Sequence, residues 1–297
     1  MELVILKLIL MQFVVPAAFI ISLWKGSFHS KLEWLVQAIL TVFCISWLFF
    51  SSPWDLFSYY LRFIWLILLL LVVYRSWRKA KPLPTRINFN RNQKWSLGFN
   101  GVLLLVFGLY NVWTFSGYTT QNQAIELDFP LKNGVYYVGQ GGNHVQINYH
   151  NAHLEQQYAL DIVKLNKFGV RAAGIYPKEL DKYAIYGDIL TSPCTGEVLE
   201  VRNDLPDLIP PNADSKSATG NYIKLKCEDV NIYIAHMQEE SVVVEVGDVI
   251  QTGQQIGLVG NSGNTSEPHL HIHAEKDGEG VPIRFNGRFL VRNNLMW

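Results

Sequence analysis

The chain has 297 residues, with 25 Lys and Arg against 25 Asp and Glu, so its formal net charge is zero. That balance excludes a basic nucleic-acid binder and a long charged disordered tail, while 49% hydrophobic residues supply the apolar surface for a sizeable core. Charges are sparse in the first 74 residues, and seven of the eight histidines lie between 144 and 273, so the two halves do different work.

Four apolar runs come first: 8–24, 34–50, 56–74 and 97–115. Each approaches the roughly 20 residues needed to cross a hydrocarbon layer about 30 Å thick. Arg62 is the one charge inside them, near an end from which its side chain can snorkel to the interface. The flank of the first run holds Glu2 and Lys7 rather than a basic cluster, and more runs follow, so it reads as a retained span, not a cleaved leader. The connections set the orientation. Segment 75–94 carries Arg75, Arg78, Lys79, Lys81, Arg86, Arg91 and Lys94, segment 25–33 carries Lys25 and Lys31, and 51–55 has neither Lys nor Arg. Basic loops stay on the cytoplasmic side, which puts everything after residue 116 outside. The expectation is a membrane domain over 1–116, a bundle of four transmembrane helices, followed by an extracytoplasmic domain over 117–297.

From 117 onward short alternating runs separated by Gly, Asn and Pro read as strands: 145–149, 158–165, 196–201, 222–227, 230–235, 241–246 and 269–274. Segment 203–220 is polar and Pro-rich and reads as a long surface loop. The domain is expected to be all-β, an antiparallel sandwich or barrel. Cys44 lies inside an apolar run; Cys194 and Cys227 lie in the external half, where they either form a bridge or stay as two buried thiols.

The sharpest local signal is Pro268-His269-Leu270-His271-Ile272-His273. On a strand, alternate side chains share a face, so three imidazoles line one side. Packing does not explain such a row, because each buried ring needs a hydrogen-bond partner; a zinc site with three protein ligands and an open position does. Asp161 sits in Tyr158-Ala159-Leu160-Asp161-Ile162, a carboxylate inside an apolar strand, and a divalent metal compensates such a charge. His236 ends another strand, after Tyr233-Ile234-Ala235.

Together with Ser192-Pro193-Cys194-Thr195-Gly196, Val246-Gly247-Asp248, Gly253-Gln254 and Gly257–Thr265, these pieces resemble the LytM/lysostaphin-type zinc metallopeptidases, which cut peptidoglycan cross-links and have the duplicated hybrid motif fold. The resemblance spans roughly 134–291. It implies Asp161 and His271 as zinc ligands, His236 and His269 as catalytic partners, and attack on a peptide carbonyl by a metal-activated water. The family's common form also has a ligand histidine four residues before the aspartate, and that position is Gln157 here. His150 and His153 are the candidates to replace it. If 145–150 and 156–161 form a hairpin whose paired positions sum to 311, His150 faces Asp161 at a Cβ separation of about 5 Å, and His153 points away. His150 is therefore the expected third ligand, His144 a loop residue, and His273 a neighbour of the ligands.

The resemblance implies a zinc-dependent metalloendopeptidase with a peptidoglycan peptide as substrate, integral to the bacterial cytoplasmic membrane, without a nucleic-acid partner, and with room for an envelope protein partner at the membrane domain. The alternative is an inactive membrane-bound module that binds peptidoglycan or activates a hydrolase, for which Gln157 is the support. Retention of Asp161, His236, His269 and His271 opposes it. A lipoyl-type carrier, suggested by the Val246-Gly247-Asp248 hairpin, needs a modifiable Lys, and none occurs between 227 and 275.

Overall fold

The computed structural model describes residues 2–297 and divides into two compact units, the described residues up to Ser52 with Tyr60–Phe115, and Pro53–Tyr59 with Ser116–Trp297.

The first unit is helical: α1 (Glu2–Ile9), a π-helical turn (Leu10–Val14), α2 (Val15–Lys25), α3 (Lys31–Ser51), α4 (Leu61–Ala80) and α5 (Arg91–Ser116). Pro16 has no N–H to offer the carbonyl of Gln12 four residues back, and the Trp65 indole N–H donates to that oxygen at 2.8 Å. Among the described residues, three segments are long and apolar enough to cross a membrane: Leu3–Lys25, Lys31–Ser51 and Arg91–Ser116. At about 1.5 Å per residue each is at least as long as a hydrocarbon layer is thick. The run expected over 56–74 folds as α4, shifted toward the C-terminus, and takes in Arg62, Arg75, Arg78 and Lys79. Arg62 does not snorkel: it is buried, with its guanidinium 3.8 Å from the centre of the Phe49 ring.

The second unit is built on a nine-stranded antiparallel sheet. Its long strands are β1 (Val135–Gln140), β2 (Leu160–Leu165), β3 (Gly196–Arg202), β4 (Asn221–Cys227), β5 (Val230–Met237) and β6 (Leu270–Lys276). The sheet runs Leu295–Met296, β1, β2, β6, β5, β4, β3, Val249–Ile250, with Glu279–Val281 beside β6. β-Branched and Leu side chains fill one face. Leu160 and Ile162 of β2, Ile223 and Leu225 of β4, Ile232 and Ile234 of β5, and Leu270 and Ile272 of β6 enter one core. The period of two then sends Asp161, His271 and His273 to the opposite face, where loops cover them. Cys194 and Cys227 are bridged, with Cα atoms 6.1 Å apart.

Two expectations of local structure fail. Residues 241–246 form no strand, and the run over 145–149 is a turn leading into a 3-10 helix at Tyr149–Ala152, not one arm of a hairpin. Asn148 is the reason. Its buried side chain accepts from the His150 N–H and donates to the carbonyls of Gly142 and Ala159. A side chain that takes up backbone groups in this way competes with ladder pairing.

Segment 203–220 is irregular, as expected, but anchored: Leu208 N donates to Asn261 O and Asp214 N to Gly263 O. Gly220 (φ 67°) and Gly263 (φ 86°) meet there, and a Cβ on either would lie 2.2–2.4 Å from backbone atoms of the other loop. Only glycine allows this crossing.

Candidate metal centre

β2 and β6 are neighbours whose register puts His271 directly opposite Asp161. His271 Nδ1 lies 2.9 Å from Asp161 Oδ1. The 3-10 helix carries His150 over the same carboxylate, its Nε2 3.0 Å from both oxygens. The Tyr149 hydroxyl donates to Oδ2 at 3.1 Å. His150, Asp161 and His271 thus offer three ligand atoms that all lie within 4.8 Å of one another, and His236, His269 and His271 form a second such group. His271 is common to both.

β5 is the other neighbour of β6, and His236 near its end has φ 58°, a conformation that costs a non-glycine residue about 1–3 kcal/mol. It is held by backbone bonds on both sides, from His236 N to Thr219 O and from Gly260 N to His236 O. Its ring donates from Nδ1 to Ser262 O at 2.9 Å, since a carbonyl only accepts. His269 immediately precedes β6. Its Nδ1 donates to Glu267 O at 2.9 Å, and its Nε2 lies 3.5 Å from Asp161 Oδ1.

Burial opposes the charge on Asp161, yet His150 and His269 beside it hold its carboxyl well below the usual carboxylate range. Burial lowers His236 well below the ordinary imidazole range, with His269 and His271 adding to the effect, and burial likewise lowers His271 and His273. His269 goes the other way: burial lowers it, but the Asp161 carboxylate outweighs this and raises it.

The donor set fits a zinc ion. Two imidazole nitrogens and one ionised, buried carboxylate oxygen converge on one point, and an uncompensated buried charge is costly. His271 Nε2 lies 3.0 Å from His273 Nδ1, so the ring is oriented from behind while Nδ1 faces the carboxylate. His273 stacks on Tyr233 at 4.6 Å, with 9° between the planes.

The cleft over this cluster has a volume of about 170 Å³, with His150, His236, His271 and His273 on its walls beside Thr219 and Asn264. His153 also lines it but belongs to neither set of converging ligand atoms among the described residues. Gln157 turns away to the Gly280 carbonyl, and His144 accepts from Gln146 N in a turn. The sequence does not single out Asn148, Tyr149, Glu267 or Arg292. Arg292 Nε donates to Ile147 O and supports the 3-10 helix. None belongs to a recurring pattern, and Glu267 and Arg292 act on partners distant in sequence.

The sequence profile of Peptidase family M23 matches residues 180–283, which takes in His236, His269 and His271 and starts after Asp161. Among solved structures the chain is similar to a zinc-containing peptidase from Vibrio cholerae (19% identity over 54% of this chain and 39% of that one, TM-score 0.34). It is also similar to the antimicrobial peptidase lysostaphin from Staphylococcus simulans (25% identity, 30% and 36% covered, TM-score 0.22). A third similarity is to the SpoIIQ–SpoIIIAH pore-forming complex (17% identity, 54% and 89% covered, TM-score 0.35). The chain spans well under half the length of the first two. The match to Peptidase family M23 therefore falls on the unit that holds the histidine cluster.

Proposed function

We propose that the protein is a membrane-anchored zinc metalloendopeptidase that hydrolyses peptide bonds in peptidoglycan cross-links. The observation that carries this reading is the approach of His150 and His271 to the two oxygens of Asp161, with His236 and His269 beside them. His150, Asp161 and His271 would hold the metal. When bound there, zinc lowers the pKa of a water to about 7 and polarises a carbonyl.

The protein's own groups divide the proton work. His236 donates from Nδ1 to Ser262 O, so its Nε2 is the free acceptor, and burial keeps it neutral; it is suited to orient a water or accept its proton. His269 also donates from Nδ1 to a carbonyl, and its raised affinity for a proton lets Nε2 hold one beside Asp161. A group that releases a proton near neutral pH is what expulsion of an amine requires.

Three helices long and apolar enough to span, and the basic residues between them, support anchoring in a bacterial cytoplasmic membrane with the site on the extracytoplasmic side. In this reading α4 is the fourth span, its Lys and Arg residues at the cytoplasmic end. Peptidoglycan peptide is then the polymer within reach.

The test uses the purified full chain in detergent: zinc analysis, then digestion of purified peptidoglycan with mass spectrometry of the products. About one zinc per chain and new amine termini at cross-links support the reading. Zinc bound without cleavage supports the inactive binding module instead.

A further inference from the structure

Residues 53–59 connect α3 to α4, yet they belong to the second compact unit. The segment is held there at several points. Trp54 is 1% exposed and its N–H donates to the Tyr137 hydroxyl at 3.0 Å; that hydroxyl donates to Asn293 Oδ1 at 2.7 Å. Ser58 donates to Phe168 O, and Tyr59 N donates to Gly169 O.

Asp55 makes the contact with chemical consequence. Its carbonyl accepts from Arg171 N at 3.0 Å, and its carboxylate lies 3.5 Å from Arg171 Nε. The Arg171 side chain is 3% exposed, lies against the Tyr176 ring, and makes its close ion pair, 2.6 Å, with Glu267. Glu267 in turn supplies the carbonyl that accepts from His269 Nδ1, and Thr265 donates to the same oxygen at 2.7 Å. An unbroken series of contacts runs from Asp55 through Arg171 and Glu267 to the imidazole beside Asp161.

We infer that the 53–59 connection is a positioning element for His269: Asp55 fixes Arg171, Arg171 fixes Glu267, and the Glu267 carbonyl sets which ring nitrogen of His269 faces the cleft. One cation between two carboxylates holds its place only while both are present. Loss of Asp55 leaves Arg171 free to follow Glu267, and the 265–269 turn shifts with it. A misplacement of about 1 Å in such a group costs on the order of 100-fold in rate. Because the connection joins α3 to α4, the state of those helices bears on the catalytic turn, and a fragment that starts at 117 lacks this support.

The inference rests on the peptidase reading for its kinetic arm, and the experiment separates the two. In the full chain, Asp55→Asn is expected to lower kcat about 10- to 100-fold, with KM and zinc content within twofold of the parent, and Asp55→Glu to recover part of it. Hydrogen exchange of the unmodified chain is expected to show the 53–59 and 265–269 amides opening together. A kcat within twofold for Asp55→Asn overturns the inference. If that variant does not fold, exchange decides alone: free exchange at 53–59 with full protection at 265–269 overturns it. A zinc-loaded parent that cleaves nothing sinks the peptidase reading and leaves the exchange measurement to judge the connection.

Discussion

Asp161 and His271 are 110 residues apart in sequence and directly opposite each other on paired antiparallel strands, with His271 Nδ1 2.9 Å from the carboxylate. The pairing of β2 with β6 does this without any loop. Core residues alternate with site residues on both strands, so a register slip of one position would put Leu160 or Ile162 in the cleft and the carboxylate in the apolar core. The site and the core therefore specify each other.

The charge on Asp161 is the quantity to remove. Asp161→Asn keeps the shape and deletes the charge, and is expected to lower zinc affinity by more than the roughly 10- to 100-fold that loss of an outer partner costs. Competition against a chromophoric chelator measures this, with far-UV circular dichroism as the control for folding. Unchanged affinity would mean the metal binds elsewhere.

His150 and His153 are separated by one turn of 3-10 helix, and only His150 reaches the carboxylate. His150→Ala is expected to abolish stoichiometric zinc and peptide hydrolysis, whereas His153→Ala retains the metal and changes at most KM, since His153 lines the cleft. Metal analysis of the two variants side by side checks this, and the reverse pattern would reassign the ligand.

The sequence carried the helical half and the all-β half plainly, because long apolar runs and period-two alternation are local signals. It carried His271 and Asp161 for the same reason: a polar residue inside an apolar strand stands out against its own neighbours. The hairpin that would bring His150 to Asp161 does not form. The short distance survives because Asn148 and Arg292 hold a 3-10 turn in that space, and both act through partners scattered over residues 140–159 and beyond. Asp55 and Glu267 were illegible. Each is an unremarkable acid in its own segment, and only the tertiary fold makes them two sides of one buried Arg171.

His273 sits behind His271, its Nδ1 3.0 Å from the far nitrogen of that ring, and its own ring is fixed by the Tyr233 stack. His273→Phe keeps the stack and deletes the acceptor, so zinc affinity is expected to fall about 10- to 100-fold with the fold intact. His273→Gln, which retains an acceptor, should fall less. Equal affinities in the two variants would show that His273 only packs.

The Cys194–Cys227 bridge closes a loop with a sequence separation of 33 residues. Chain-entropy reasoning assigns such a loop about 3–4 kcal/mol of stability. Replacing both cysteines with Ala is expected to lower the melting temperature by about 10 °C, at roughly 2–4 °C per kcal/mol for a unit of this size. Because the bridge stands away from the histidine cluster, zinc affinity at 20 °C should not change. A melting point moved by less than about 2 °C would show that the denatured chain is not loosened by its loss.

The metal-free protein is expected to lose stability on mild acidification. Burial lowers His236, His271 and His273, and His144 as well, so these rings resist protonation when folded but take up protons near pH 6.5 when unfolded. Unfolding then absorbs protons, so stability falls as the pH drops below about 6.5. His269 has the opposite sign: raised by Asp161, it contributes stability that is complete below about 6.5 and lost as the pH rises through its folded value. Four groups against one leave a net loss toward acid. Asp161 adds a further loss only at lower pH, since a depressed carboxyl gives its full contribution above about pH 4 and loses it as the pH falls through the folded value. Melting of the chelator-treated full chain between pH 7.5 and 5.5 checks the sign, and a melting temperature that stays level or rises toward pH 5.5 would show that the buried imidazoles are already charged in the fold.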